Sequence, residues 1–200
     1  MCSLAYSPCA SVAKPFSDPD YIFELKHDGF RALAYVEEGK CRLVSRNGNL
    51  LKSFGSLKKS LGKLRVQNAI LDGEIICIDR NGISQFNQLF SRRGAPVFYA
   101  FDLLWLNHED LRDLPLLDRK QHLPELMERN KPERIIYAQH VEGHGKLLFE
   151  EICNNDLEGI VAKWKHGVYK SNSIGWLKIR NPKYSQAEGR RDFSKRAAKR

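Results

Sequence analysis

The stretch Tyr21–Val36, YIFELKHDGFRALAYV, sets an apolar run, a short polar break and a second apolar run in sequence. Tyr21 to Leu25 and Arg31 to Val36 are strand candidates by composition and length. In the break between them, Asp28 and Arg31 bracket Lys26 with opposite charges. A lysine at a strand end points into whatever lies between sheets. Gly29 permits a backbone turn that a Cβ would resist. His27 is expected to point the opposite way from Lys26 on an extended chain. By itself such a break is an ordinary polar turn.

Outward from it, Glu37-Glu38-Gly39-Lys40 is a turn into a strand over Cys41–Ser45, and Asn47-Gly48-Asn49 is a second turn signal. Phe54, Leu57, Leu61 and Leu64 mark one face of a helix. Ala69–Leu71 and Ile75–Ile78 are two strand candidates separated by Asp72-Gly73-Glu74, and Asp79-Arg80-Asn81-Gly82 turns the chain again. Further strands are expected over Val97–Leu104, Arg134–Ala138, Gly159–Lys163 and Trp176–Ile179. Helices are expected over Asp118–Asn130 and Lys146–Asn154. Strands outnumber helices and several are hairpin-linked, which predicts an α+β fold with mainly antiparallel sheets. The sequence has no GxGxxG or GxxxxGK[ST] loop, which disfavours a Rossmann or Walker-type phosphate cradle.

The 200 residues are 42% hydrophobic and 28% charged, the balance of an ordinary globular domain. The sequence lacks an apolar run of bilayer length and a secretory leader pattern, so a reducing cytoplasm and no membrane partner are expected. Cys2, Cys9, Cys41, Cys77 and Cys153 are odd in number and contain no CxxC pair, so idle thiols are expected instead of a disulfide framework or zinc site. His140 and His144 are four apart but flank a strand end and Gly143, which does not suit a metal pair on one helical face. The chain carries +9; from Lys183 to Arg200, seven Lys or Arg face only Glu188 and Asp192, a net of +5, leaving +4 for residues 1–182. A basic tail on a mildly basic body suits a polyanion such as nucleic acid, or simply a solvated end.

Carboxylates recur beside apolar strands, in Asp72-Gly73-Glu74 and in Glu158-Gly159-Ile160-Val161-Ala162-Lys163. Trp176-Leu177-Lys178-Ile179-Arg180 alternates Lys178 and Arg180 on one face of a strand. Taken singly, each is a weak surface ion pair. Taken in order, they resemble the covalent nucleotidyltransferase superfamily of ATP-dependent DNA ligases, RNA ligases and mRNA capping enzymes. KHDGFR matches its KxDGxR nucleophile motif; SRNG at Ser45–Gly48, LDGEI at Leu71–Ile75, FYAFDLLWL at Phe98–Leu106, EGIVAK and WLKIR match the following motifs. The likeness covers roughly residues 15–185. FDLLWLNHEDLRDLPLLDRK, Phe101–Lys120, is most similar to bacterial DNA ligases, in particular the ligase domain of the end-joining type.

The resemblance implies two mainly antiparallel sheets with flanking helices around a nucleotide cleft. It divides the chain into an extended lead-in over 1–20, an adenylation domain over 21–182 and a basic tail over 183–200. Lys26 is then the nucleophile that takes AMP from ATP, with Asp28 orienting it and Lys178 on the α-phosphate. Glu24 meets the adenine amino group, and Phe101 and Val161 sandwich the ring. Arg31 and Arg46 contact ribose and phosphate, and Lys163 and Arg180 complete the nucleotide contacts; Arg180 stands where the family often has lysine. Glu158 and Glu74 are the expected ligands of Mg²⁺ or Mn²⁺. The implied acceptor is nicked double-stranded DNA in a bacterial cytoplasm, at the nucleoid. The family's OB-fold domain has no counterpart in 181–200, so full sealing is expected to need an OB-fold or other repair protein in trans. A monomer is expected. A non-sealing nucleotide- or nick-binding module, and an RNA ligase or capping-type transferase, are the competing readings.

Overall fold

A computed structural model describes residues 6–170 and 175–186. Residues 187–200, most of the expected basic tail, lie outside the described residues. The fold is α+β, with two mainly antiparallel sheets and few helices.

The first sheet is assembled from distant parts of the chain. Its strands are β1 (Cys9–Ser11), β2 (Tyr21–Leu25), β9 (His140–Glu142), β10 (Gly159–Trp164) and β11 (Trp176–Arg180), in the order β1-β11-β10-β2-β9. β1 runs parallel to β11; the other pairs are antiparallel. β1 lies inside the segment read as a lead-in. Its three residues show no apolar periodicity, and Pro8 and Pro15 around them mask the pairing.

The second sheet is a local meander. β3 (Phe30–Glu37), β4 (Lys40–Ser45), β5 (Asn68–Cys77), β6 (Pro96–Leu106) and β7 (Glu109–Asp110) lie in the order β4-β3-β5-β6-β7, and β8 (Ile135–Tyr137) pairs with β6. The two strands expected around Asp72-Gly73-Glu74 are one continuous ten-residue strand. The polar triplet does not break it, because Asp72, 0% exposed, accepts hydrogen bonds from Arg31 and Tyr169. Gly73 keeps the strand close to β6, since a Cβ there would stand 2.5 Å from the Phe98 ring. The register shifts on either side of Leu71–Asp72 record the irregularity as a bulge.

Helix α1 (Gly55–Gly62) buries Leu57 and Leu61, as the heptad-like spacing predicts. A short α2 (Phe86–Phe90), absent from the sequence expectation, follows the Asp79–Gly82 turn. Helices α3 (Leu116–Asn130) and α4 (Gly145–Asn154) lie close to the expected spans. His140 is on β9 and His144 caps α4, so the two are not on one helix. Among the described residues, Cys9, Cys41, Cys77 and Cys153 are free thiols, and no helix is long and apolar enough to cross a membrane.

Gly159 opens β10 at φ +144°, and a Cβ there would lie 2.2 Å from the Ile179 carbonyl oxygen on β11. Both the backbone angle and the neighbour exclude a side chain. Gly159→Ala is expected to cost about 3 kcal/mol, a Tm loss on the order of 10 °C for a chain of this size. A thermal melt within 2 °C of the unmodified chain would refute this.

Candidate active site

The two sheets face each other across a cleft of about 320 Å³, within the range of small-molecule sites. Strand register decides which side chains line it. On the first sheet Glu24, Val161 and Lys178 pair across β2, β10 and β11 and form one row. Two residues along, Lys163, Trp176 and Cys9 form the next row on the same face. On the second sheet Arg31, Glu74 and Tyr99 pair across β3, β5 and β6. All nine line the cleft, together with Phe101 and Arg46.

Lys26 leaves the end of β2, its N–H donating to the Gly159 carbonyl at 2.9 Å. That bond brings the lysine alongside the start of β10, and its ammonium forms an ion pair with the Glu158 carboxylate. Both side chains are nearly buried, at 10% and 7% exposure. Glu158 is not itself in the cleft lining, and neither is Asp28, which is 1% exposed. Gly29 is needed for close approach more than for a turn: a Cβ would meet the Ile75 carbonyl oxygen at 2.3 Å.

His27 faces the cleft, contrary to expectation. β2 ends at Leu25, so strand alternation no longer decides which way the ring looks. Its Nδ1 lies 2.6 Å from Ser84 Oγ and its ring meets Tyr99 edge-on at 4.2 Å. Burial, then the charge of Lys26, pushes the imidazole down to about 4. The folded chain therefore refuses a proton that the unfolded chain accepts below about 6.5. Stability is fully present above pH ~6.5 and is lost as pH falls through about 4, by roughly 3 kcal/mol. His27→Gln is expected to flatten this slope; an unchanged slope between pH 4 and 6.5 in chemical denaturation would rule it out.

Arg31 is held more tightly than a free phosphate ligand. Nε and Nη2 donate to Asp72 at 3.1 and 2.7 Å, and Nη1 donates to the Ser7 carbonyl at 3.0 Å. Its guanidinium lies 4.9 Å from the Tyr6 ring and 4.7 Å from that of Trp176. Arg46 is exposed on the Ser45–Gly48 turn, which closes through Gly48 N–H to Ser45 O at 2.9 Å. Burial pushes the Glu74 carboxyl up to about 8, against the pull of Lys26 and Arg31. Burial lowers the Lys178 amine. Arg180, two residues beyond Lys178, is exposed and outside the cleft lining.

At the other end of the cleft, Lys163 forms an ion pair with Glu24 Oε2 at 2.7 Å. Its ammonium sits 4.1 Å from the ring centres of both Phe101 and Trp176. Burial raises the Glu24 carboxyl, but Lys120 and Lys163 outweigh it and hold it below the usual range.

A family model for the ATP dependent DNA ligase domain matches residues 3–180. The chain belongs to this ATP-dependent DNA ligase family. It is 32% identical over 168 residues to the multifunctional non-homologous end joining protein LigD of Pseudomonas aeruginosa, an alignment covering 80% of this chain and 20% of that protein. The SPbeta prophage-derived DNA ligase-like protein LigB of Bacillus subtilis is 29% identical, with 88% of this chain and 67% of that one covered. The structure of mycobacterial DNA ligase D complexed with ATP and MES superposes at a TM-score of 0.77 and 25% identity, covering 88% of this chain and 60% of its own. The chain thus spans about a fifth of the length of the LigD proteins it matches.

Within this ligase domain, Lys120 and Tyr6 support the cleft without lining it and escape a reading by motif. Lys120 reaches Glu24 from α3, 96 positions away. Tyr6 donates its hydroxyl to the Val44 carbonyl at 2.5 Å and accepts from Leu33 N–H at 2.7 Å. The one available signal was in α3, where Arg119 and Lys120 fall on the apolar face that buries Leu116 and Leu123. Long charged side chains on a buried face have to be paired.

Proposed function

We propose that the cleft binds ATP and that Lys26 attacks its α-phosphate. A bond forms between Nζ and phosphorus, the bond to pyrophosphate breaks, and lysyl-AMP remains. AMP then passes to the 5′-phosphate of a DNA nick; the 3′-hydroxyl attacks that phosphate and AMP leaves. The observation that carries this reading is the convergence of Lys26, Glu74, Lys178 and Arg46 on one cleft, with Lys26 paired to Glu158.

In this reading Lys178 meets the charge that builds on the α-phosphate, and Arg46 is free to follow the phosphates from its exposed turn. Arg31, already held by Asp72, orients the cleft wall and offers its remaining N–H to ribose. Glu24 and Lys163 lie at the base end, with Phe101 and Val161 beside them. The oxygens of Glu158 and Glu74 suit a hard divalent cation, which would neutralise phosphate charge when bound. Among the described residues no three His, Cys, Asp or Glu side chains form a cage, so phosphate oxygens and water would supply the other ligands. Asp28, 1% exposed and outside the cleft lining, is assigned to the nucleophile's loop instead of to substrate. Arg180 is assigned to the acceptor side, outside the cleft.

The chain is incubated with α-labelled ATP and Mg²⁺ or Mn²⁺, then denatured. Label is expected to stay on the protein, and to be lost from it when nicked DNA is added before denaturation. Retention without transfer to DNA, and transfer to nicked RNA instead, would mark a different acceptor. No covalent label with either metal would reject adenylyl transfer.

A further inference from the structure

The base end of the cleft is built around a side chain that never reaches the cleft. Lys120 is 1% exposed on α3 and absent from the lining. Its ammonium donates to Glu24 Oε1 at 2.6 Å, the Ala138 carbonyl at 3.0 Å and the Phe101 carbonyl at 3.2 Å. A lysine has three donors, and all three are spent. Glu24 belongs to β2 in the first sheet and Phe101 to β6 in the second, so one ammonium ties the two sheets together behind the cleft.

Two of the three residues it holds, Glu24 and Phe101, line the cleft at its base end. Glu24 is 3% exposed yet lines the cleft, and its other oxygen is fixed by Lys163 at 2.7 Å. Two cations thus keep the carboxylate ionised at a set position, and an ionised carboxylate only accepts hydrogen bonds. Each oxygen retains accepting capacity beyond the lysine it already holds. An exocyclic amino group meets that requirement; a carbonyl oxygen in the same place would face an unpaired acceptor in a buried setting, which is strongly disfavoured.

We propose that Lys120 is a positioning residue for nucleobase selection: by locking Glu24 and the Phe101 backbone together it makes the cleft accept a 6-amino purine and refuse a 6-oxo purine. The proposal rests on the cleft being the nucleotide site of adenylyl transfer. Lys120→Met would leave Glu24 tied on one side only and release Phe101. Loss of a buried, charge-assisted contact of this kind corresponds to about tenfold or more in affinity.

The test follows covalent nucleotide transfer to the chain by intact mass, with ATP and with inosine triphosphate, which carries a 6-oxo group and lacks the 2-amino group of guanine. The unmodified chain is expected to favour ATP. In Lys120→Met the KM for ATP is expected to rise about tenfold, with a smaller change in the plateau rate, and the preference for ATP over inosine triphosphate to shrink about tenfold. Lys120→Arg keeps the charge but spreads it over a larger planar fork that does not fit the point where one ammonium meets its three acceptors, so the preference should shrink at least about threefold; this variant decides the matter if Lys120→Met does not fold. A preference unchanged in Lys120→Arg, or in a folded Lys120→Met whose Tm alone has dropped, would overturn the role of Lys120 and leave adenylyl transfer intact. An unmodified chain that takes no nucleotide from either triphosphate would overturn both.

Discussion

Lys26→Ala is expected to reduce covalent label from ATP to background, a loss on the order of 10⁴-fold or more, as for removal of other nucleophiles. Two further amines line the cleft, but neither is placed to take over. Lys163 is 2% exposed, paired with Glu24 and set against two rings. Lys178 projects from the middle of β11, on the opposite side of β10 from the strand that delivers Lys26. The alanine variant also strips Glu158 of its ion-pair partner, so a folding defect could mimic lost chemistry. Lys26→Arg separates the two. Arginine can keep the pair with Glu158, but its guanidinium does not lose a proton in proteins and cannot attack phosphorus. It should melt within a few degrees of the unmodified chain and take no label. Label on the arginine variant would show that another residue is the nucleophile.

Arg119→Met is expected to be the most destabilising single change outside the cleft. Arg119 is 1% exposed and binds Asp102, 0% exposed, through Nε at 2.8 Å and Nη2 at 2.7 Å. Its Nη1 donates to the Leu114 and Gly167 carbonyls, at 2.6 and 3.1 Å. Removing one partner of such a pair strands a buried charge, at a cost of about 3–5 kcal/mol. For a chain of this length, that is a Tm decrease of roughly 6–20 °C. Replacing both partners, Arg119→Met with Asp102→Leu, should recover most of the loss, because two apolar side chains leave no orphaned charge. The two carbonyls, and the Leu103 N–H that loses Asp102 Oδ1, set a residual cost. If the double variant melts no higher than Arg119→Met, the loss is one of packing and not of stranded charge.

The line between what the sequence discloses and what it hides falls between local and distant pairing. Lys26 and Lys178 sit at a strand end and on a strand face, where position and period show which way a side chain looks; Glu74, Phe101 and Val161 are reached through the family motifs, and all five line the one cleft. His27 escapes strand alternation because it lies two residues past the end of β2. Asp72-Gly73-Glu74 looks like a break because an acid and a glycine usually end a strand; Arg31 and Tyr169, 41 and 97 positions away, make it interior instead. The β1–β11 pairing joins segments more than 160 residues apart, and three residues carry no periodicity strong enough to announce it. Lys120 shares that obscurity, since its acceptors come from three separate segments.

The first sheet ends on both sides in strands of only three residues, β1 and β9. A sheet of this kind offers a second polypeptide very few unsatisfied N–H and C=O groups along either rim. β11, which carries Lys178, has β1 on its outer flank, so its main-chain groups are occupied where another copy could otherwise have zipped on. Brevity at the rims thus guards the longer inner strands, β11 with Lys178 among them, against intermolecular β-augmentation.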